Sequence, residues 1–296
     1  MVVVSALGSA MLYALAAVFQ QRAAVNEPRE HALRLRLLIG LLQRPLWLAG
    51  LACDIGAFVL QFWALDHGSL VLVQPLLVSG LLFALPLGAL VSHERMTRDD
   101  WIGAALVVIG LSGFLIVAQP DRGNADAAPK VWFLLVVCIL STVGMLIFAA
   151  QRSRGSRRAG LLAAAAGTLY GLTAALTKTC GHLLDQGVKH LLKSWKPYAL
   201  VAGGISGTVI DQSAYQAGPL NWSLPILTVA DPIVSIAIGA FVFGEGIEID
   251  GAAPYIEALA LVVMTIGVFK LSNSRLVARI REEGAAEEKR QEKPGR

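Results

Sequence analysis

The stretch that decides the fold is PLWLAGLACDIGAFVLQFWALDHGSLVLVQPLLVSGLLFALPLGALVSHER, residues 45–95. It contains two apolar runs, at about 46–65 and 70–91, which are joined by a short turn at 66–68. At a rise of about 1.5 Å per residue, roughly 20 apolar residues cross the hydrocarbon core of a bilayer. The pattern therefore predicts a membrane hairpin of two helices.

Polar groups interrupt both runs of this hairpin. Asp54 and Gln61 lie in the first run, and Gln74 and Pro75 lie in the second. Polar side chains at this depth are tolerated where they face other helices or a cavity, and a proline removes a backbone donor from its helix. We therefore expect the hairpin to face the interior of a larger helical bundle.

The composition of the whole chain is typical of a membrane protein. Of its 296 residues, 55% are hydrophobic and 16% are charged, and the mean hydropathy is +0.62. A chain of this length with such a composition is too apolar for a soluble domain. The net charge of +4 comes from basic residues beside the apolar runs, so the expected partner is the lipid bilayer and not a nucleic acid.

Similar runs recur along the chain and predict about nine transmembrane spans. They lie at about 2–21, 46–65, 70–91, 101–118, 131–150, 159–179, 198–217, 220–243 and 253–271. Most of the 25 Lys and Arg residues fall in the loops after odd-numbered spans and in the C-terminal tail. Because cytoplasmic loops carry the excess of Lys and Arg, we expect a multi-pass plasma-membrane protein with its N-terminus outside and its C-terminus in the cytoplasm.

Two shorter segments, 31–44 and 182–195, are apolar but too short and too charged to span a bilayer unaided. A basic amphipathic helix lying at the membrane interface is the first interpretation of each, and a short inserted or re-entrant helix is the second. The polar tail, 272–296, is predicted to be a solvated extension.

The chain also contains a weak internal repeat. Residues 12–17 resemble 169–174, residues 68–75 resemble 218–225, and Glu94 matches Glu245. Spans 1–4 thus correspond to spans 6–9, and a single connecting span inverts the second copy relative to the first. The prediction is an all-α polytopic membrane protein with a first repeat at 1–118, a connector at 119–158, a second repeat at 159–271 and a tail at 272–296.

Four features in order carry a resemblance to a known family: an apolar helix, a hairpin with a mid-span proline, a glutamate closing span 3 or 8, and a glycine-rich helix at 102–113. Over about residues 1–271 the chain resembles the drug/metabolite transporter superfamily, whose members are EamA-like. The sequence DPIVSIAIGAFVFGE at 231–245 is similar to the signature of its second half. LVLVQPL at 70–76 and TKTCG at 177–181 are similar to the NIPA-type magnesium transporters. The resemblance implies secondary transport.

Acidic residues inside predicted spans are the first candidates for chemistry. Asp54 and Asp211 lie in equivalent spans of the two halves, and Gln212 adds polarity beside Asp211. A carboxylate at this depth must be paired, hydrated or protonated, which suits it to carry protons or to bind a cation, or else to hydrogen-bond another helix. Asp231 precedes Pro232 in span 8.

Prolines predict irregular backbone next to these acids. Pro225 and Pro232 are expected to give span 8 an irregular middle that exposes carbonyl oxygens, and Pro75 with Gln74 is expected to do the same in span 3. A simple kink filled by a neighbouring helix is the alternative. Pro75 and Pro225 are accordingly candidate cavity-lining residues.

Further polar residues in or beside the spans have functional and structural interpretations. Lys178 either extends to the lipid headgroups or serves as the counter-ion of Asp54 or Asp211 or as a site for an anionic substrate. Tyr13 and Tyr170 recur in the repeat and either pack or line a central cavity. Gln61 is a candidate for binding a proton, a cation or the substrate. Glu94 and Glu245 close spans 3 and 8, where we expect solvated carboxylates with a structural role.

Three functions remain open at this point. The first is proton-coupled export of a small metabolite or amphipathic compound, with Asp54 and Asp211 exchanging protons with the substrate. The second is transport of Mg²⁺ or another divalent cation by Asp54, Asp211 and Asp231 together with carbonyl oxygens. The third is a non-transporting scaffold or a lipid-handling subunit of an envelope pathway. The chain carries no catalytic motif, so neither an enzyme nor a cofactor is expected, and a homodimer is one assembly to test.

Overall fold

The computed structural model describes residues 1–24, 44–92, 96–118, 121, 123–217, 220–246 and 253–272. Every regular element in those ranges is a helix and none is a strand, so the all-α prediction is confirmed for them. The helices of the first half are α1 (Val2–Ala24), α2 (Pro45–His67), α3 (Leu70–Val78), α4 (Gly80–Ser92) and α5 (Arg98–Ala118). They are followed by α6 (Pro129–Gln151), α7 (Gly155–Asp185), α8 (Val188–Lys193), α9 (Lys196–Ala217), α10 (Leu220–Val242) and α11 (Ala253–Ser272).

Six of these helices are long and apolar enough to cross a membrane. They are α2, α5, α6, α7, the part of α10 from Pro225 to Val242, and α11 as far as Leu271. Two further apolar stretches, Val2–Ala16 and Leu70–Ala84, are shorter. The described residues therefore contain six candidate spans, and the nine-span inverted repeat stays a prediction.

The third predicted span is divided into two helices at Ser79. The Ser79 N–H and hydroxyl both donate to the carbonyl of Leu76, at 3.1 and 2.6 Å. Gly80 then passes close to α1, where a Cβ atom would lie 3.1 Å from the Ala10 carbonyl oxygen. An irregularity was predicted at Pro75, and it occurs one turn later. The Leu76 carbonyl is occupied by Ser79 and is not offered to a ligand.

The eighth predicted span is not divided. α10 contains both Pro225 and Pro232 and is nevertheless one continuous helix from Leu220 to Val242. The helix is thus not interrupted, but both prolines lack a backbone N–H, and the irregular middle with exposed carbonyl oxygens stays a prediction. Tight packing against α7 supports the helix there, because a Cβ atom on Gly167 would lie 2.6 Å from the Ala230 side chain.

α7 is the central helix of the bundle. It is the most deeply buried of the six spans, and it packs against α2, α6, α9 and α10. The glycine-rich helix α5 packs instead on α11, and the two backbones touch. A Cβ atom on Gly110 would lie 2.5 Å from the Met264 nitrogen, and one on Gly267 would lie 2.7 Å from the Val107 nitrogen. Small residues of this kind allow close helix contacts in membranes.

One end of the bundle gathers the N-terminus and three connections between helices, and we call it the Met1 end. A Cβ atom on Gly68 would lie 2.6 Å from the Val2 side chain, so the turn between α2 and α3 meets the N-terminus. The Asn124 N–H donates to the Phe243 carbonyl at 2.7 Å, which joins the loop before α6 to the end of α10.

Of the two short segments predicted from the sequence, only 182–195 lies within the described residues. α7 continues through its first part to Asp185, and Gly187, with a φ of +113°, turns the chain into α8. α8 has six residues and none of them is buried. It lies on the surface of the protein, and both interpretations of this segment stay predictions. The segment 31–44, Glu94 and the tail beyond Ser272 lie outside the described residues.

Candidate functional site

A cavity of about 150 Å³ lies between α3, α7 and α10. Its polar lining consists of Gln74 from α3, Tyr170 from α7, and Thr228 and Asp231 from α10. The walls are otherwise apolar and include Leu77, Leu227 and Pro232. Three residues that the sequence singled out, Gln74, Tyr170 and Asp231, are thus brought together from three different helices.

The Gln74 side chain is the least satisfied group of this cavity. Only 1% of Gln74 is exposed, and its Nε2 atom has no hydrogen-bond partner in the part of the chain that the structure describes. A buried donor without a partner costs about 1–3 kcal/mol. A solute or water that offers an acceptor inside the cavity would remove this cost.

Asp231 is the ionisable group of the cavity. Its Oδ1 atom accepts a hydrogen bond from the Ser235 hydroxyl at 3.1 Å, one helical turn further along α10. Gly167 of α7 brings the two backbones together here, since a Cβ atom on it would lie 3.1 Å from the Asp231 nitrogen. The carboxylate is therefore held by a residue of its own helix, and its backbone lies against α7.

Two tyrosines connect this cavity to the flanking helices. The Tyr13 hydroxyl donates to Gln61 Oε1 at 2.8 Å, and Tyr13 also interacts electrostatically with Asp54 and Asp231. Tyr170 lies near Thr208 and Asp211 of α9 and near Asp231 of α10. Asp231 therefore lies within electrostatic reach of both tyrosines.

The remaining predicted site residues lie outside the cavity lining. Among described residues that lining does not include Tyr13, Gln61, Pro75, Pro225, Asp54 or Asp211, although Asp211 is buried, with 9% exposed. Over the described ranges, no three acidic, histidine or cysteine side chains come close enough together to hold a metal ion, so Asp54, Asp211 and Asp231 do not form one cluster. Gln212 lies on α9, and its side chain is outside the described part of the structure.

A second polar group of atoms lies at the Met1 end of the same three helices. Glu245 follows the end of α10, and its Oε1 atom lies 2.6 Å from Lys178 Nζ on α7. The same oxygen accepts the Leu70 N–H at 2.8 Å, and Oε2 accepts the Val71 N–H at 2.8 Å. We call these groups the Glu245 cluster. Two interpretations from the sequence are wrong here, because Glu245 is 2% exposed and not solvated, and Lys178 is 4% exposed and pairs with Glu245.

The Glu245 cluster could have been suspected from one signal in the sequence. The first N–H groups of a helix have no partner within that helix, and together with the helix dipole they attract a carboxylate. The turn at 66–69 predicts where α3 begins, and Glu245 is the acid that the repeat places at a span end. What the sequence does not provide is the packing that brings α3, α7 and α10 to one point.

A larger cavity, of about 400 Å³, lies at the Met1 end beside α6. Its two charged groups bind each other, because Lys196 Nζ lies 2.5 Å from Asp126 Oδ2. Asp126 Oδ1 also accepts hydrogen bonds from Trp132 Nε1 at 2.8 Å and from the Ala127 N–H at 2.7 Å. Burial raises the pKa of the Asp126 carboxyl, but the hydrogen bonds from Lys196, Trp132 and Ala127 lower it by more, so its pKa lies below the ordinary value. This cavity is larger, but its polar groups are already satisfied.

Comparisons with known proteins identify a family and one relative. A model of the EamA-like transporter family matches residues 1–117. An uncharacterized protein of Corynebacterium glutamicum is 31% identical over 273 residues, which cover 92% of this chain and 94% of that protein. No solved structure matches the chain. The narrower similarity to NIPA-type magnesium transporters stays a prediction. By its family match, its apolar helices and its full-length relative, the chain belongs to the EamA-like transporter family, a family of multi-pass membrane proteins.

Proposed function

We propose that this protein is a secondary transporter of the plasma membrane that exports a small metabolite in exchange for protons by alternating access. The observation that carries the proposal is the cavity between α3, α7 and α10. It combines an unpartnered amide donor on Gln74 with a carboxylate on Asp231 inside apolar walls. Polar groups of this kind in the interior of a membrane bundle mark substrate and ion pathways.

The chemistry of the cavity supports exchange of a substrate with a proton. Asp231 can hold either a proton or a polar group of the substrate, and Gln74 can donate to an acceptor on the same solute. If Asp231 cannot bind a proton and the substrate at the same time, release of one permits binding of the other. This mutual exclusion is the requirement for coupled exchange. Asp231 thus takes the role that the sequence assigned to Asp54 and Asp211, which lie outside the cavity lining.

The size of the cavity favours a small solute. A volume of about 150 Å³ holds about five water molecules, and pockets for drug-sized ligands are usually about 300–1,000 Å³. A small metabolite fits this space as it stands. A bulky amphipathic compound would require α3 and α10 to separate.

Helix contacts support the inverted repeat that alternating access requires. α1 packs on α2 as α7 packs on α9, and these two pairs are equivalent in the predicted repeat. α3 packs on α10 and α5 on α11, and each of these pairs joins equivalent helices. Contacts between equivalent helices of the two repeats lie where a two-fold axis relating the repeats would pass. In this arrangement the Met1 end faces outward and the basic loops face the cytoplasm.

The decisive experiment is flux into proteoliposomes containing the full chain, with and without an imposed pH gradient. The probes are a panel of radiolabelled small amino acids and amines, with Mg²⁺ as a separate arm. We expect saturable flux of at least one organic solute that requires the gradient and is lost in Asp231→Asn. Asp126→Asn, which removes a charge outside the cavity, is the matched control and should retain flux.

Other outcomes would replace the proposal by one of its alternatives. Mg²⁺ flux that ignores the pH gradient would identify a divalent-cation transporter. Absence of flux for every probe, together with stable protein partners on purification, would identify a scaffold or a lipid-handling subunit.

A further inference from the structure

The Glu245 cluster joins the three helices that also line the central cavity. α3 contributes the Leu70 and Val71 N–H groups to the cluster and Gln74 to the cavity. α7 contributes Lys178 to the cluster and Tyr170 to the cavity. Glu245, which follows the end of α10, contributes the carboxylate of the cluster. One carboxylate thus fixes the positions of all three cavity-lining helices relative to one another at the Met1 end.

Close packing holds the Glu245 carboxylate in this place. A Cβ atom on Gly239 would collide with Glu245 Oε2 and would lie 2.9 Å from the Val71 side chain, so the absence of a side chain on Gly239 makes room for the carboxylate between α3 and α10. The Glu245 N–H donates to the Gly239 carbonyl at 2.9 Å, and Gly244 adopts a φ of +62° to make this turn. Lys178 Nζ also lies 4.9 Å from the centre of the Phe243 ring.

The loop before α6 packs against the segment that contains Phe243 and Glu245. Gly123 has a φ of +58°, and a Cβ atom on it would lie 2.5 Å from the Phe243 carbonyl oxygen and 2.8 Å from the Glu245 nitrogen. No path from the Met1 end to the cavity can open between α3 and α10 while these contacts persist. Such a path requires Glu245 to leave Lys178 and the N-terminus of α3.

We propose that Glu245 and Lys178 are positioning residues that form the gate at the Met1 end, and that the bonds of Glu245 to α3 and α7 hold the cavity closed on that side. The proposal rests on the function proposed above, because a gate has meaning only for a transported solute. It assigns neither residue a contact with the substrate. Their role is to set the balance between states that are closed and open at this end.

The gate is tested by the accessibility of a buried position between α3 and α10. Val71 is fully buried beside Gly239, and Val71→Cys provides a reporter thiol in full-length protein whose Cys53, Cys138 and Cys180 are replaced by Ala. A membrane-impermeant maleimide is added to vesicles from one side or the other, without solute or gradient. We expect Glu245→Gln to raise the labelling rate about tenfold or more from one side only, since couplings of this kind typically change equilibria 5- to 150-fold.

Two further variants make the result specific. Lys178→Met should raise labelling from the same side, and it decides the test if Glu245→Gln does not yield folded protein. Asp126→Asn removes an ion pair at the same end that does not join cavity-lining helices, and it should leave labelling unchanged. Glu245→Asp, which retains the charge on a shorter side chain, should give an intermediate rate.

The proposal is overturned if labelling is unchanged in both Glu245→Gln and Lys178→Met. It is also overturned if labelling rises equally from both sides, or equally in Asp126→Asn, because each of those results means general loosening of the bundle. The labelling experiment requires no substrate. A failure to find a transported solute would therefore refute the proposed function, but the labelling rates would still test the gate.

Discussion

At the Met1 end, α3, α7 and α10 bring together a carboxylate, an ammonium group and two backbone N–H groups, and the carboxylate binds all three donors. One helical turn further along α3, the same three helices surround a cavity in which the Gln74 amide nitrogen has no partner among the described residues. Both regions are buried and both contain one acid. They differ in whether the protein supplies the partners itself.

This difference separates a structural role from a binding role. Buried polar groups in folded proteins are normally satisfied, so a cluster whose groups are all paired contributes to the geometry of the protein. A group that remains unsatisfied at the centre of the bundle lowers stability, and binding a ligand compensates that loss. The comparison predicts that changes in the Glu245 cluster affect stability first and that changes in the cavity affect transport first.

The largest expected effect on stability is that of Glu245→Gln. The change leaves the Lys178 charge buried without its carboxylate, and breaking a buried pair from one side costs about 3–5 kcal/mol. The measurement is the free energy of unfolding in detergent. Glu245→Leu combined with Lys178→Met should cost less than the sum of the two single changes, because no uncompensated charge remains. An additive double variant would show that the two side chains are not coupled.

An exchange of the two charges should not restore stability. Lys178→Glu with Glu245→Lys keeps an ion pair, but a lysine cannot accept the N–H groups of Leu70 and Val71 and its charge opposes the dipole of α3. We expect the exchanged protein to remain at least about 2 kcal/mol less stable than the parent, which corresponds to two buried donors without partners. Recovery of parental stability would mean that the N-terminus of α3 contributes little to the cluster.

The opposite pattern is expected for Gln74→Leu in the cavity. Replacing an unpartnered amide by an apolar group of similar size should leave the free energy of unfolding unchanged or raise it by up to about 1 kcal/mol. Transport should fall, because the donor to the solute is lost. A variant that transports normally would remove Gln74 from the proposed site, and a destabilised one would show that its amide has a structural partner.

The smallest effect is expected for the Asp126–Lys196 pair, in which Lys196 begins α9 and is buried but the Asp126 side chain, in the loop before α6, is 36% exposed. Asp126→Asn should cost less than Glu245→Gln, because solvent reaches the carboxylate side of the pair and screens it. Because the pKa of Asp126 in the folded protein is below its ordinary value, the stability it contributes is present above that ordinary value and is lost as the pH falls through the lowered pKa. Unfolding measured between pH 7 and pH 3 should therefore show a difference between parent and variant that disappears only at the acidic end.

Several features of the fold and the site could be predicted from the sequence because they are local or repeated. The apolar runs gave the helices, and the repeat identified Tyr13 and Tyr170 as equivalent. Tyr13 binds Gln61, and Tyr170 lies near Asp211, which occupies the position of Gln61 in the predicted repeat.

Other features could not be predicted because they depend on contacts between distant parts of the chain. Lys178 and Glu245 are 67 residues apart, and each taken alone resembles a charged residue at the end of a span. The division of the third predicted span at Ser79 also depends on packing, because Gly80 must pass the backbone of Ala10 on another helix. Hydropathy alone shows one continuous apolar run there.

Because the helix breaks at Ser79, α3 can rotate about that residue as a short rigid lever. The helix has nine residues and is therefore about 13 Å long, with Glu245 holding one end and Ser79 separating the other end from α4. A rotation of about 10° around Ser79 would carry Leu70 about 2 Å, which is enough to break hydrogen bonds of 2.8 Å. Gln74 lies midway along the lever and would move about half as far. A rotation that moves Leu70 by less than one helical turn can thus couple the hydrogen bonds at the Met1 end to the position of Gln74 in the cavity.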